Sequence, residues 1–306
     1  MVVALGNFDG VHRGHRAVFA EARAFADALG CPFGVLTFEP HPRSVLRPEP
    51  APFRLTPFRA KLRAIAETGA EALVIFHFDK TLAALSADRF VREVLVGELA
   101  VAHVVIGHDF KFGRGREGTA ERLDELAREH GFGFSQVQVV GTGEAPFAST
   151  AVRAALREGD AAAAAVILGR WWEAEDRVAI GKRIGRTIGY PTANLALADT
   201  LHPAHGIYAV WAGVEEAGET RWHPGAANFG TRPTFDGEGE LLEIHLLDFA
   251  GDLYGKRLRV RFVERLRAEE KFDNVEALVA QMGKDCARTR DILARHGPDR
   301  PTERAA

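Results

Sequence analysis

The first half of the chain alternates between short apolar runs and helical patterns, and this alternation limits the possible folds more than any other feature of the sequence. The apolar runs, which predict β-strands, are residues 2–5, 33–38, 73–78, 103–106 and 134–140. The segments predicted to be helices are residues 15–29, 58–68, 87–97, 119–130 and 154–168. Because the runs are continuously apolar, we expect a parallel sheet that helices cover on both faces. Sheets of this kind bind ligands at the carboxyl ends of their strands.

The pattern changes after about residue 170, where short β-rich runs are separated by Gly and Pro. These runs are residues 178–180, 207–214, 222–229, 241–249 and 258–266, and a last helix is predicted over residues 275–296. Such spacing is typical of an antiparallel barrel or sandwich. We therefore predict two domains, residues 1–170 and 171–306, in agreement with a prior of roughly 150 residues per domain.

Composition excludes several classes of protein. The 39 basic and 42 acidic side chains give a formal net charge of -3, so we expect no nucleic-acid partner. The longest apolar run, residues 161–169, is about half of the roughly 18 residues that a membrane-spanning helix needs, so we expect no membrane partner. Cys31 and Cys286 lie far apart, which excludes a CxxC site and favours a reducing compartment, the cytoplasm. The sequence leaves the oligomeric state open.

The sharpest motif is Gly-Asn-Phe-Asp-Gly-Val-His-Arg-Gly-His at residues 6–15, between a predicted strand and a predicted helix. Glycines let the backbone approach a phosphate closely, and a helix N-terminus supplies free N–H groups and the positive end of a dipole. His12 and His15 can both face one anion and donate hydrogen bonds to charge that develops on a phosphoryl group. The alternative is a simple turn that carries two surface histidines.

Three further segments follow predicted strands, and a single cleft would form where they meet. They are residues 37–42, residues 106–113 with Arg116 beyond them, and residues 148–153. Ser149 and Thr150 can cap a helix and bind phosphate at its N-terminus, and Arg153 can reach a triphosphate as a forked donor. The alternatives are a helix cap without a ligand and a solvated arginine.

In the second half, residues 181–194 combine glycines, basic side chains and a proline turn. Gly181, Gly185 and Gly189 recur at intervals of four and do not match the P-loop template. The cations of this segment, Lys182, Arg183 and Arg186, suit a triphosphate. Thr192 and Asn194 offer two oxygen ligands that a hard cation such as Mg²⁺ accepts together with phosphates. The alternative is a basic surface loop.

Together, residues 6–15 and the three segments after the strands resemble the flavin-adenylylating branch of the nucleotidyltransferase superfamily, as found in bacterial riboflavin kinase/FAD synthetases. One departure is Ala148, where the family usually has the first Ser of a Ser-Ser-Thr sequence. Residues 189–194, Gly-Tyr-Pro-Thr-Ala-Asn, resemble the riboflavin kinase signature, and the further matching stretches are residues 206–210, 228–235 and 266–272.

The resemblance implies a Rossmann-like parallel sheet followed by an antiparallel β-barrel with a terminal helix. It implies phosphorylation of riboflavin to FMN and adenylylation of FMN to FAD, with ATP as co-substrate, Mg²⁺ as metal, and His12, His15 and Glu243 as catalytic residues. It assigns the nucleotides to Gly6, Asn7, Phe8, Gly14, Asp109, Arg116, Ser149, Thr150, Arg153, Gly181, Lys182, Gly185, Arg186 and Gly189, the flavin to Phe38, Pro40, His41, Asn228, Arg267 and Phe272, and the metal to Thr192 and Asn194.

Glu243 also stands out without the resemblance. On a strand it shares a face with Leu241 and His245, and a carboxylate there needs either a partner or a function. The implied function is to deprotonate the ribityl hydroxyl, and the alternative is a structural ion pair with an arginine.

Two other functions compete with the bifunctional enzyme. One is a nucleotidyltransferase with a single activity on another phosphate ester, and the other is a non-catalytic flavin-sensing protein. The presence of His12, His15, Asn194 and Glu243 favours the bifunctional enzyme over both.

Overall fold

A five-stranded parallel sheet forms from the alternating half of the chain in the computed structural model, which describes residues 1–47, 52–143, 145–180, 185, 188–216, 218–234 and 237–299. The strands are β1 (Val2–Leu5), β2 (Phe33–Glu39), β3 (Ala72–His77), β4 (His103–Gly107) and β5 (Gly133–Val137). Their order in the sheet is β3-β2-β1-β4-β5, and every pair is parallel. The chain first adds β2 and β3 on one side of β1 and then adds β4 and β5 on the other side. Ligands bind at such a switch point, here between β1 and β4, in open sheets of this type.

Helices cover both faces of this sheet, as the continuous apolar strands predict. They are α1 (Arg13–Leu29), α2 (Pro42–Leu46), α3 (Phe58–Ala66), α4 (Lys80–Ala83), α5 (Ala87–Phe90), a π-helix over Val91–Glu98, a 3₁₀ turn over Arg114–Arg116 and α6 (Ala120–His130). Val2 and Ala4 pack in a core with residues of α1 and α3, whereas Val3 and Leu5 pack in a second core with residues of α5 and α6. The Rossmann-like sheet is therefore confirmed.

The second half of the chain forms a six-stranded antiparallel sheet that curls into a barrel. After a short hairpin of β6 (Gly141–Thr142) and β7 (Ala145–Pro146) and the helices α7 (Ser149–Glu158) and α8 (Ala161–Leu168), its strands are β8 (Trp172–Arg177), β9 (Ala193–Leu195), β10 (Gly206–Glu216), β11 (Glu219–Thr234), β12 (Gly237–Leu246) and β13 (Arg257–Arg267). Their order is β8-β13-β10-β11-β12-β9. A bridge between Ala179, just after β8, and Asn194 on β9 joins the two edges.

The terminal helix α9 (Val275–Leu293) packs on the outside of this barrel. Its residues Ile292 and Leu293 share an apolar cluster with Ala209, Val263 and Leu266. The predicted barrel with a terminal helix is thus confirmed. Within the described ranges, no helix is long and apolar enough to cross a membrane.

Several element predictions were wrong in detail. The single helix predicted over residues 154–168 is two helices, because Gly159 takes a positive φ of 85° and Asp160 accepts the Ala163 N–H to start α8. The strand predicted over residues 178–180 lies instead just before these residues, as β8. The sequence analysis missed β8 because its acidic side chains are unlike those of an apolar strand. Glu173 of β8 pairs with Arg259 and Arg261 of β13, so the charges are neutralised across the strands.

The described chain divides into two compact units, the first made of residues 1–47 and 56–148 and the second of residues 52–55 and 149–299. Helices α7 and α8 belong to the second unit, and their residues Val152, Leu156 and Leu168 lie in the same apolar core as Trp172 of the barrel. The functional boundary at residue 170 stays a prediction.

Candidate active sites

The loop between β1 and α1 has an unusual backbone. Phe8 and Val11 adopt positive φ values of 50° and 43°, and Gly10 one of 88°, although the first two carry side chains that disfavour this conformation. Phe8, Asp9 and Val11 are nonetheless buried. Strained backbone of this kind persists only where the surroundings hold it, and it clusters at functional sites.

His12 and His15 lie together at the start of α1. His12 is the N-cap residue, and its Nδ1 accepts a hydrogen bond from the His15 backbone N–H at 3.3 Å. This bond assigns the proton of a neutral His12 ring to Nε2, which makes Nε2 a donor. The two rings stack with centroids 3.6 Å apart. The predicted pair therefore forms one unit, beside the backbone N–H groups of the first helical turn.

Gly14 lies between the two histidines in a space too small for a side chain. A Cβ atom at this position would lie 2.9 Å from the carbonyl oxygen of Phe147 and 3.1 Å from the ring of His12. The same holds for Gly6, which follows β1: a Cβ atom at this position would lie 2.9 Å from the ring of Phe8. Both glycines let neighbouring groups approach the loop closely.

Two polar residues that the sequence analysis did not single out lie against the same loop. They are Thr56, just before α3, and Lys61, within α3. Thr56 donates its N–H to Asp9 Oδ1 at 3.0 Å, and its hydroxyl oxygen accepts from the Gly10 N–H at 2.9 Å. Lys61 is 1% exposed and lies against Glu39 and Thr37. A signal was present, because Lys61 occupies a position in the apolar stripe of α3 between Ala60 and Ala64.

The residues predicted after β2 and β4 lie at the ends of strands that flank β1. Phe38 is largely buried, with its ring against Phe78 and Phe90. His41 follows Pro40 and caps α2 by accepting the Arg43 N–H at 3.1 Å. After β4, Asp109 and Arg116 are exposed. The segments after β1, β2 and β4 thus meet at one edge of the sheet.

The fourth predicted segment belongs to the second compact unit. Ser149 and Thr150 begin α7. Arg153 is buried, its Nε donates to the carbonyl of Phe53 at 2.9 Å, and its guanidinium lies 5.6 Å from the Phe53 ring. The sequence did not indicate this contact, and the assignment of Arg153 to the triphosphate stays a prediction.

In the barrel, three polar side chains form a row across adjacent strands. Asn228 on β11 lies opposite Glu243 on β12, which lies opposite Asn194 on β9. Their strand neighbours, such as Leu242 and Ile244, fill the barrel core, so the row faces outward. Side chains directly opposite in antiparallel strands have Cβ atoms about 4.5–5.5 Å apart. The pairing brings together a predicted base, a predicted metal ligand and a predicted flavin contact.

The two asparagines of this row carry side-chain oxygens that are available to bind a ligand. Among the described residues, the side-chain carbonyl oxygens of Asn194 and Asn228 are buried without a hydrogen-bond partner, which is uncommon in folded proteins. Mg²⁺ binds such neutral oxygens along with phosphates and water. The donor set, with Thr192 two residues before Asn194, therefore fits the predicted metal.

The segment that carries Thr192 is held against the row. Tyr190 donates its N–H to the Gly185 carbonyl at 2.8 Å, and its ring meets that of His245 edge-on at 5.1 Å. A ring nitrogen of His245 lies 2.9 Å from the Pro191 carbonyl. His245, two residues after Glu243 on the same face, thus fixes the segment before β9. Gly189 takes a positive φ of 84°, whereas the predicted Gly181, Lys182 and Arg186 lie outside the described residues.

β12 carries a second carboxylate, Glu240, which lies beside two histidines. Glu240 contacts His202 and, at 2.6 Å, His205. Partial burial raises the pKa of Glu240, but the hydrogen bond from His205 and the neighbouring His202 outweigh it and hold this pKa below its ordinary value. Glu240 is thus engaged by two imidazoles, and the assignment of Glu243, opposite the two asparagines, as the base stays a prediction.

The predicted flavin contact Arg267 is fixed by the terminal helix. Its guanidinium binds Asp285 of α9, with Nη2 to Oδ2 at 2.7 Å, and Gln281 donates to the same carboxylate at 3.0 Å. The ring of Phe272 lies 5.8 Å from the guanidinium. The sequence analysis missed Asp285, because its partner lies on another element.

Comparison with known proteins gives matches over both compact units. The model of the FAD synthetase family matches residues 1–151, and that of the riboflavin kinase family matches residues 168–293. Proteins named bifunctional riboflavin kinase/FMN adenylyltransferase are similar over most of their length. The protein of Escherichia coli K12 is 41% identical, and the match covers 95% of this chain and 92% of that protein. The protein of Pseudomonas fluorescens is 42% identical, and the match covers 96% of this chain and 93% of that protein.

A solved structure gives the same extent of similarity. A crystal structure from Streptococcus pneumoniae, described as a macrolide-efflux protein, superposes with a TM-score of 0.83 and 32% identity, and the match covers 94% of this chain and 93% of that one. The two chains therefore share their fold over nearly their whole length.

Proposed function

Since the chain belongs to the family of bifunctional riboflavin kinase/FMN adenylyltransferases, we propose that it phosphorylates riboflavin to FMN with ATP and adenylylates FMN with a second ATP, giving FAD and pyrophosphate. The observation that supports the proposal is that each compact unit holds its own group of candidate residues. The first has the stacked histidines beside a helix N-terminus, and the second has the row of Asn194, Glu243 and Asn228.

In the kinase reaction, the terminal hydroxyl of the ribityl chain attacks the γ-phosphorus of ATP. Glu243 accepts the proton of that hydroxyl while ADP leaves. Thr192 and Asn194 would hold Mg²⁺, which when bound neutralises phosphate charge. Arg267, oriented by Asp285, and Phe272 are the flavin contacts that we assign to this site, together with Asn228.

In the adenylyl transfer, a phosphate oxygen of FMN attacks the α-phosphorus of ATP and pyrophosphate leaves. His12 and His15 donate hydrogen bonds to the charge that builds on the phosphoryl oxygens, and the first N–H groups of α1 add to this stabilisation. Gly6, Asn7, Phe8 and Gly14 shape the loop around the nucleotide. We assign the nucleotide also to Asp109, Arg116, Ser149, Thr150 and Arg153, and the flavin to Phe38, Pro40 and His41.

We further propose Mg²⁺ as the divalent ion, the cytoplasm as the compartment, and two functional domains over residues 1–170 and 171–306. Among the described residues, the buried side-chain oxygen of Asn194 has no hydrogen-bond partner, which supports the metal. The two distant cysteines support a reducing compartment. The family matches, which end at residue 151 and resume at residue 168, support the boundary.

One incubation tests the function. The chain is mixed with riboflavin, ATP and Mg²⁺, and the flavins are separated by chromatography over time. We expect FMN to appear first and FAD to follow, with ADP and pyrophosphate as co-products. FAD from supplied FMN without any FMN from riboflavin would favour a nucleotidyltransferase with a single activity, and flavin binding without any product would favour a flavin-sensing protein.

A further inference from the structure

The ammonium group of Lys61 lies in the interior of the first compact unit, where it contacts two segments of the proposed adenylylation site. Its Nζ lies 2.5 Å from Glu39 Oε1 and 3.3 Å from Thr37 Oγ1. It also lies 3.5 Å from the carbonyl oxygen of Asn7. Asn7 is in the loop after β1, and Glu39 is the last residue of β2. One cation from α3 therefore ties together the segments that follow two neighbouring strands.

Stability alone does not account for a lysine at this position. Its neighbours on α3, Ala60, Ala64 and Ile65, are buried and apolar. Taking an ammonium and a carboxylate out of water is costly, and apolar residues of similar volume often serve stability as well as a buried ion pair does. The pair with Glu39 is therefore better explained by what it orients than by its contribution to stability.

The loop that Lys61 contacts is the part of the fold that most needs to be oriented. Thr37 Oγ1 donates to the Asn7 carbonyl at 3.1 Å, so Lys61 and Thr37 converge on one backbone oxygen. Directly after it, Phe8 and Val11 hold positive φ values, which such residues keep only when their surroundings fix them. The loop then leads into His12, whose Nε2 we assign as a donor.

We propose that Lys61 is a positioning residue for adenylyl transfer. It acts through the Asn7 carbonyl on the loop that ends at His12, and through Glu39 on the segment of Pro40 and His41. This inference rests on the proposed function, because it assigns the loop to adenylylation. In this role Lys61 orients other residues rather than a reacting atom.

The test compares charge removal at one and at both members of the pair, in the full chain. Lys61→Met leaves the Glu39 carboxylate without this partner, whereas Lys61→Met combined with Glu39→Gln removes both charges. We expect each to lower kcat for FAD formation at least tenfold, with less than threefold change in KM for ATP and FMN. FMN formation from riboflavin, measured on the same preparation, should stay within twofold. Lys61→Arg, which keeps the cation, should recover part of the lost kcat.

The matched control is Lys256→Met, which removes the lysine of an exposed Lys256–Glu216 pair at 2.7 Å. It should leave both activities within twofold. Melting temperatures separate positioning from folding. If the double variant regains the parent's melting temperature but not its kcat for FAD formation, the positioning role is supported. If kcat returns together with the melting temperature, or never falls, Lys61 is structural and the inference is overturned.

The parent chain distinguishes this failure from that of the proposed function. If the parent forms no FAD from FMN and ATP, the proposed function is wrong. If the parent and the double variant form FAD equally well, only the role of Lys61 is wrong.

Discussion

At the scale of single residues, His15 gives the most direct test of the adenylylation site. Replacing it with Ala removes one donor to the phosphoryl oxygens and the ring that stacks on His12 at 3.6 Å. Losing one such donor typically costs about a hundredfold to a thousandfold in rate. We therefore expect His15→Ala to lower FAD formation by about that factor and to leave FMN formation intact. Both rates are measured by chromatography on one preparation, and an unchanged rate of FAD formation would contradict the assignment.

Glu243 allows a similar separation in the barrel. Glu243→Gln keeps the size and much of the hydrogen bonding of the side chain but cannot accept a proton. A positioned base contributes about 10²–10⁴-fold, so we expect kinase turnover to fall by that amount while ADP binding, the melting temperature and FAD formation from supplied FMN persist. A structural role predicts the reverse, namely a lower melting temperature with turnover within a few-fold of the parent.

The sequence predicts which candidate residues lie together when they belong to one contiguous motif, and does so poorly when their partners are distant. His12 and His15 are three residues apart next to a predicted strand end, so local spacing was enough to predict that they lie together; their role stays a prediction. Lys61 and Asp285 contact residues on other elements, at Glu39 and Arg267. Such contacts follow from packing, and only the odd position of a charge in an apolar stripe signals them.

At the scale of elements, two glycines in helices provide a matched pair. Gly14→Ala would place a Cβ atom 2.9 Å from the Phe147 carbonyl. In α9, the nearest described neighbour of a Cβ atom in Gly283→Ala would be the Tyr190 hydroxyl, at an ordinary 3.6 Å. We expect Gly14→Ala to lower the free energy of unfolding by about 1–3 kcal/mol and to slow FAD formation. Gly283→Ala should raise the free energy of unfolding by about 0.5–1 kcal/mol. Calorimetry on both variants checks this, and a stabilised, fully active Gly14→Ala would show that the close packing is unimportant.

Element types follow from sequence where the hydrophobic period is clear. The central strands β1, β2 and β4 are buried and read as mainly apolar runs. The edge strands β3 and β5 are only partly buried, but their apolar residues lie between helical patterns, so all five strands were predicted. β8 was missed because its acidic side chains are neutralised by arginines of β13, which a local pattern cannot reveal. β9 was missed because its three residues, Ala193–Leu195, lie inside a Gly- and Pro-rich signature.

At the scale of the whole molecule, the change of pattern near residue 170 correctly predicted a parallel sheet followed by a barrel, but the compact units divide after residue 148. The reason is the apolar face of α7 and α8, which packs in the barrel core with Trp172 and Phe262. A pattern of helices after strands does not say which sheet they cover. Function and compactness therefore suggest different places to cut the chain.

Two fragments decide between these boundaries. Residues 1–170 contain every segment assigned to adenylylation, so we expect this fragment to form FAD from FMN and ATP but no FMN from riboflavin. It should melt at a lower temperature than the full chain, because removal of the barrel exposes Val152, Leu156 and Leu168.

Residues 1–148 contain the first compact unit but lack Ser149, Thr150 and Arg153, and we expect them to form FAD at least tenfold more slowly. Circular dichroism establishes that each fragment is folded, and His15→Ala in the longer fragment controls for contaminating activity. If the folded longer fragment forms no FAD, the barrel is required for adenylylation; if the shorter one matches the full chain, the three residues at the start of α7 have no part in the reaction.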